Sequence, residues 1–119
     1  MSFRKVLAEL VQKVPGAKGA ILADYEGEAV DQAARMDDYQ LKVLGAHKGV
    51  ILGNLSRAIG RLEGDCLREM VVATEKSQTL VLPITAEYFL VLTLERGHLL
   101  GRALFEARRC AERLRHEIA

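Results

Sequence analysis

The sequence predicts an α/β fold in which a five-stranded, mainly antiparallel sheet carries helices on both faces. Three segments, one at each end of the chain and one in its centre, repeat apolar residues with the helical period. Five short segments between them have extended patterns separated by turn residues. The resulting order is α-β-β-α-β-β-β-α, and a length of 119 residues fits a single domain, residues 1–119, with one core.

The first part of the chain predicts a helix followed by a hairpin. Phe3–Val14 keeps apolar residues at the i, i+3, i+4 spacing, and a Pro-Gly pair ends the pattern. Ala17–Asp24 and Glu28–Ala34 are then short extended runs. In the turn that joins them, the Asp24 carboxylate can accept hydrogen bonds from turn amides and Gly27 can adopt positive φ.

The central segment, Asp37–Leu62, predicts one long amphipathic helix. Asp37 and Gln40 have the spacing of a capping box, in which each side chain satisfies a free amide at the helix start. Lys48 interrupts the apolar pattern and is interpreted as a side chain whose methylene stem covers apolar surface. The predicted core-facing stripe consists of Leu41, Leu44, Ile51, Leu52, Leu55, Ile59 and Leu62.

Small residues recur beside this stripe and form what we call the glycine strip. Each glycine inside a helix costs roughly 1 kcal/mol relative to alanine, so several on one side need compensation. Close approach of another backbone supplies it, and we interpret the strip as a subunit contact. The alternative is that the strip seats the helix tightly on its own sheet. The strip consists of Gly45, Gly49, Gly53, Ser56 and Gly60.

The second half of the chain predicts three strands and a closing helix. The strands are Cys66–Glu75, Thr79–Thr85 and Tyr88–Glu95, and the helix runs from about His98 to the end of the chain. The last two strands are apolar at consecutive positions, so both of their faces should be covered. The strand before them differs, because its charged side chains suit an edge of the sheet.

Composition excludes several classes of function. With 17 basic and 16 acidic residues, the net charge of +1 provides no overall field for binding nucleic acid. No apolar run is long enough to cross a bilayer and no cleavable leader is evident, so the expected location is cytoplasmic. The two cysteines, Cys66 and Cys110, suggest neither a disulfide scaffold nor a zinc site, and we expect both to be small buried residues.

Catalysis finds little support in the sequence. The three histidines, His47, His98 and His116, lie in separate elements and are interpreted as solvated surface residues. The glycines of the long helix lack the lysine and Ser/Thr of a phosphate loop, so the chain is not expected to bind GTP itself. We therefore predict a protein that is not an enzyme, with no cofactor and no metal.

Several segments together resemble the Roadblock (dynein light chain) family. They are the order of elements, the first strand at Gly16–Asp24, the turn ending in Gly27, the paired strands around Leu80–Pro83 and Phe89–Leu94, and the closing Gly101–Leu104 segment. The likeness spans nearly the whole chain. It implies a profilin-like or longin-like sandwich with the predicted order of elements. Within the family, the chain resembles the bacterial type that includes the gliding-motility GTPase-activating protein.

The resemblance also implies a homodimer. In such a dimer the third strands pair across a twofold axis, here Cys66–Glu75 with Arg68, Met70 and Val72, and the two long helices meet beside that axis. The glycine strip and the charged edge strand agree with this expectation.

The resemblance further implies a partner, a small Ras-like GTPase, which the dimer would regulate or hold in place, in cell polarity or motility. Two other functions stay open: a small-molecule sensor and a purely structural dimerisation module. Val43 and Val50 lie one heptad apart on the helix face opposite the core, where exposed apolar residues can mark a binding patch. The GTPase would dock on that outward face, formed by Val43, Ala46, Val50, Arg57 and Arg61.

Overall fold

The computed structural model describes residues 2–62 and 64–118. The predictions that include Met1, Glu63 or Ala119, among them the domain limits 1–119 and a last helix reaching the chain end, extend beyond these residues. The helices and strands are α1 (Phe3–Lys13), β1 (Ala17–Asp24), β2 (Ala29–Ala34), α2 (Asp38–Gly60), β3 (Met70–Ala73), β4 (Ser77–Pro83), β5 (Tyr88–Glu95) and α3 (Leu100–Ile118).

The strands form one antiparallel sheet in the order β2-β1-β5-β4-β3. The predicted order of elements is therefore confirmed, and each strand or helix is shifted by at most a few residues, with the exception of β3. None of the helices among the described residues combines the length and hydropathy that crossing a bilayer requires.

Two apolar layers cover the two faces of the sheet. Successive side chains of a strand point to opposite faces, and in β1 Ala20 and Leu22 join the layer with α1 and α3, while Ile21 and Ala23 join the layer with α2. Every residue from Phe89 to Leu94 in β5 is buried. Thr79–Leu82 of β4 is buried as well, so the prediction that the last two strands are covered on both faces is confirmed.

The β1–β2 turn has the predicted chemistry. Asp24 Oδ1 accepts hydrogen bonds from the backbone amides of Glu26 and Glu28, each at 3.0 Å. Gly27 has a φ of 93°, which an L side chain rarely adopts. This turn brings Tyr25 to the edge of the α2 layer, where its ring centroid lies 5.0 Å from that of Phe89.

The third strand is shorter than predicted. Only Met70–Ala73 pairs with β4, so the prediction of a strand over Cys66–Glu75 is wrong at both ends. The preceding segment is held by contacts other than a strand ladder: Asp65 Oδ1 accepts from the amide of Cys66 at 2.9 Å, and Glu69 binds Arg108 of α3. Cys66 is exposed, which corrects its expected burial, whereas Cys110 is buried as expected.

Candidate functional site

The candidate site is the surface of α2, and the helix begins as the sequence predicts. Asp37 is the N-cap residue, and its Oδ2 accepts a hydrogen bond from the Gln40 amide at 3.0 Å. This bond satisfies one of the free amides of the first turn. The face of α2 that lies on the sheet is buried, and its residues are Leu41, Gly45, Lys48, Gly49 and Leu52.

The first two residues of the glycine strip, Gly45 and Gly49, are part of the core. A Cβ added at Gly45 would lie 3.2 Å from two carbons of Ile21, and one at Gly49 would lie 2.6 Å from the ring of Phe89. The prediction that these two residues form a separate contact surface is therefore wrong, because both are buried against their own sheet. They let α2 approach β1 and β5 closely, as the alternative interpretation proposed.

The rest of the strip lines an open groove. Gly53, Ser56 and Gly60 share a cavity of about 390 Å³ with Tyr25 and Leu67. A Cβ added at Gly53 would lie 4.0 Å from Tyr25, and one at Gly60 would meet no atom within 4 Å. Burial raises the pKa of the Tyr25 phenol. This half of the strip is open enough for contact with another molecule, unlike Gly45 and Gly49.

The core stripe is also shorter than predicted. Leu41 and Leu52 are fully buried, but Leu55 is 36% exposed and Leu62 is 56% exposed. Leu62 also lies beyond the end of α2 at Gly60. Lys48 is only 9% exposed, and its Nζ lies 3.3 Å from His47 Nδ1, an arrangement that agrees with a stem buried along the apolar surface.

The predicted docking residues form one exposed face, which we call the outer face of α2. At about 100° per residue their side chains fall within roughly 60° of one another. Val43 is 51% and Val50 is 63% exposed, and both arginines are exposed, whereas Ala46 is half-buried. Arg57 Nη2 donates to Asn54 Oδ1 on the preceding turn. The outer face consists of Val43, Ala46, Val50, Arg57 and Arg61.

Sequence reasoning missed one residue of this face. Tyr39 lies one turn before Val43 on the same side of α2 and is 73% exposed, the most exposed aromatic side chain among the exposed large apolar residues. Tyrosine is enriched among residues that contribute most to protein interfaces. Its spacing of four from Val43 could have indicated it.

A second apolar surface lies along the opposite side of α2 from Gly53 and Gly60, and we call it the α2 flank. Its members Leu44, Ile51 and Leu55 are partly buried or exposed. Because the glycine side of the helix approaches Tyr25 and the β1–β2 turn, this flank is directed toward β4 and β3. Leu44 and Ile51 pack against the same apolar layer as Met70 and Val72.

Strand β3 continues this surface at the edge of the sheet. It pairs with β4 on one side, and within residues 2–62 and 64–118 no strand pairs with its other side. Met70 is nearly buried, Val72 is half-buried, and Arg68 precedes the strand in an exposed position. An edge of unpaired backbone groups beside apolar side chains is suited to pairing with another strand.

An ion pair positions the segment before β3. Arg108 Nε donates to Glu69 Oε2 at 2.9 Å, and a second guanidinium nitrogen donates to Glu69 Oε1. These hydrogen bonds lower the pKa of the Glu69 carboxyl below its ordinary value and raise that of Arg108. The contact joins the approach to β3 to α3 on the other face of the sheet.

The metal-ligating and nucleophilic side chains of the described residues are widely separated or buried. Within them, no group of three or more His, Cys, Asp or Glu side chains is placed to hold a metal ion. The three histidines are exposed, as predicted, and lie on α2, before α3 and at the end of α3. Burial raises the pKa of the Cys110 thiol to about 12, so this cysteine is not an activated nucleophile.

A family comparison identifies the fold that presents these surfaces. The family model of the Roadblock/LC7 domain matches residues 4–94, well over half of the chain. The chain belongs to the Roadblock/LC7 domain family. The resemblance stated from the sequence is thereby confirmed, and the family is in general one of regulatory or scaffold domains that are not catalytic. Comparison with curated proteins finds no match for this Roadblock domain.

Solved structures confirm the fold of this Roadblock domain. A Roadblock/LC7 domain from Streptomyces avermitilis superposes with a TM-score of 0.87 at 18% identity, covering 96% of this chain and 95% of that one. The gliding protein MglB from Thermus thermophilus has a TM-score of 0.84 and 22% identity, with 97% and 88% covered. MglC from Myxococcus xanthus has a TM-score of 0.72 and 28% identity, with 98% and 99% covered.

Proposed function

We propose that this Roadblock domain forms a homodimer that regulates a small Ras-like GTPase or holds it in place. The observation that carries the proposal is that α2 has two separate apolar surfaces. One, the α2 flank, packs against the apolar layer that includes Met70 of β3, and the other is the outer face. A chain with two such surfaces can bind a second copy and a further partner at the same time.

The dimer is assigned to β3 and the α2 flank. Pairing of β3 with its copy across a twofold axis would satisfy the backbone groups at the sheet edge, with Arg68, Met70 and Val72 in the contact. The same axis would bring together the flanks that contain Ile51 and Leu55, which are incompletely covered in the single chain. Gly53, Ser56 and Gly60 lie on the opposite side of α2. We therefore propose that the α2 flank, and not the glycine strip, forms the contact between the two α2 helices of the dimer.

The GTPase is assigned to the outer face, with Tyr39 added to it. The centre of this face is apolar, with Val43 and Val50 more than half exposed, and its C-terminal end is basic, with Arg57 and Arg61. An apolar centre with a charged rim is the usual composition of a protein interface. The structural likeness to the gliding protein MglB supports a role in motility or polarity.

Core packing supports this proposal over a small-molecule sensor. The cavity between α1 and α3 has a volume of about 30 Å³, which has room for about one water molecule. Small-molecule sites usually enclose about 300–1,000 Å³. The groove of about 390 Å³ beside Gly53 and the cavity of about 300 Å³ beside Tyr88 both lie open at the surface.

Val50→Asp tests the GTPase assignment. A charge at this exposed position should leave the fold and the dimer unchanged, but it should weaken binding of a small Ras-like GTPase from the same genome at least about tenfold, because a carboxylate would be desolvated in the interface. Pull-down and a GTP-hydrolysis assay with the two proteins mixed measure binding and effect.

The matched control is Val30→Asp, which places the same charge on the 43% exposed valine of β2. It should bind the GTPase like the wild-type protein. If Val50→Asp binds the GTPase as tightly as the wild type does, the assignment of the outer face as the docking surface is wrong. If the protein is a dimer but affects no GTPase, its function is structural and not regulatory.

A further inference from the structure

Charge is divided unequally between the helices and the rest of the chain. α1 and α3 together contain eight Arg and Lys residues and four Glu residues, a net charge of +4. α2 has a net charge of +2, and because the whole chain has a net charge of +1, the strands, turns and loops carry −5. The face of the sheet that bears α1 and α3 is therefore basic, although the protein as a whole is nearly neutral.

Two large apolar side chains project from this basic layer. Leu99, the residue before α3, is 81% exposed, and Phe105 in α3 is 56% exposed. Arg102 lies three residues after Leu99 and three before Phe105, so it is a neighbour of Phe105 on the helix surface. The Arg109 guanidinium stacks over the Phe105 ring, 5.7 Å from its centroid. Lys13, at the end of α1, lines the same small cavity as Arg109. We call these five residues the basic patch.

Glu106 is the only acidic residue in α3 before the exposed Glu112. Glu106 is 6% exposed, and its Oε1 lies 3.6 Å from Arg109 Nη1. Among the residues that the structure describes, no ion pair involves Arg102. Arg102 also lies in the first turn of α3, where the helix macrodipole disfavours a cation. The local fold therefore gives no reason for this arginine, and an external anion would.

We propose that the basic patch binds an anionic lipid surface, on which the protein lies without spanning it. Positive charge surrounding protruding Leu and Phe side chains is the composition of a peripheral membrane contact. Leu99 and Phe105 project outward from a convex helix surface, which suits insertion between lipid headgroups. A bound acidic peptide would instead call for a concave site around these side chains.

The position of the patch gives the proposal a functional consequence. α1 and α3 lie on one face of the sheet and α2 lies on the other. A protein attached through the basic patch would therefore direct the outer face of α2 away from the lipid, where a protein partner has access to it. The membrane contact does not depend on the identity of that partner.

Flotation with vesicles tests the proposal. Wild-type protein should float with vesicles of phosphatidylcholine containing about one third phosphatidylserine, and much less with phosphatidylcholine alone. Added salt should weaken binding because it screens the charges. Lys13→Glu combined with Arg102→Glu should lower the partition coefficient at least about tenfold, and Leu99→Ser combined with Phe105→Ser should lower it several-fold at every salt concentration.

The control is Arg35→Glu combined with Lys76→Glu, which makes the same change in net charge at two exposed residues outside α1 and α3. It should bind vesicles within about twofold of the wild type. Equal losses in the patch and control variants, or no binding of wild-type protein to anionic vesicles, would overturn the proposal. So would patch-dependent binding of a labelled peptide of alternating Glu and Leu without vesicle binding, since that result assigns the patch to an acidic protein. Unchanged circular dichroism shows that each variant is folded.

Discussion

At the scale of single residues, two glycines of the glycine strip have different roles in the structure, although both lie in α2. Gly49 lies under the ring of Phe89, and a Cβ there would be 2.6 Å from a ring carbon. Gly60 lies near the end of the same helix and has no atom within 4 Å of its Cβ position. The first therefore contributes to packing, whereas the second carries only the entropic cost of a helical glycine.

Substitution of these two glycines by alanine should change stability in opposite directions. Gly49→Ala should lower the free energy of unfolding by about 1–3 kcal/mol, because the new methyl group displaces Phe89 from a packed core. Gly60→Ala should raise it by about 0.5–1 kcal/mol through the lower entropy of the unfolded chain. Urea denaturation measures both. Equal effects would show that Gly49 is not in contact with the sheet.

At the scale of secondary structure elements, hydrogen bonds from two arginine side chains hold the segments that flank β3 and β4. Arg115 Nε donates to the Ile84 carbonyl at 2.9 Å and its Nη2 donates to the Pro83 carbonyl at 3.0 Å. Arg108 holds Glu69 in the segment before β3. Both arginines belong to α3, so this helix fixes the ends of the two strands on the side of the sheet where β3 is unpaired.

The ion pair between Glu69 and Arg108 should make the free energy of unfolding depend on pH. Arg108 lowers the pKa of Glu69 in the folded state, so the contact stabilises the fold above the unfolded pKa of about 4.3 and is lost as pH falls through the folded value. Glu69→Gln should therefore be less stable than wild type near neutral pH, and the difference should vanish once the pH falls below the lowered pKa of Glu69 in the folded state.

Urea midpoints across this pH range check the prediction. Glu75→Gln, at an exposed glutamate in the turn after β3, is the control and should track the wild type throughout. A difference between Glu69→Gln and wild type that persists at acidic pH would show that the contact acts through packing and not through charge.

At the scale of the whole molecule, the sheet separates two surfaces with different properties. The α2 layer presents apolar side chains and the unpaired β3 edge, and the α1–α3 layer presents net positive charge. If β3 pairs with its copy, the two sheets become continuous, and the corresponding layers of both copies lie on the same sides. A dimer would then double the contact area of each surface.

Leu55→Glu tests the dimer at this scale. Leu55 is 36% exposed in the single chain, so a charge there should cost the monomer little stability. In the dimer the same residue lies in the proposed contact, where an unpaired carboxylate would be desolvated. We expect sedimentation to show a folded monomer at concentrations where wild-type protein is a dimer. A variant that sediments with the wild type would place the contact elsewhere.

Local residue patterns were sufficient for most of the fold. The helical and extended periods, the Asp37 cap and the Asp24–Gly27 turn depend on residues within a few positions of one another, and the structure confirms them. Exposure of Val43 and Val50 also followed from the helical period, because a residue opposite the buried face of an isolated surface helix faces solvent.

The sequence by itself therefore determined the order of elements, the covering of the sheet on both faces and the exposed valines of α2. Tertiary structure alone decided that Gly49 packs on Phe89, that Leu55 and Leu62 stay exposed, and that the basic helices α1 and α3 lie on the same face of the sheet. The physical reason is that these properties depend on segments far apart in the chain. The helical period predicts the side of a helix on which a residue lies. Whether another segment of the chain covers that side depends on tertiary packing.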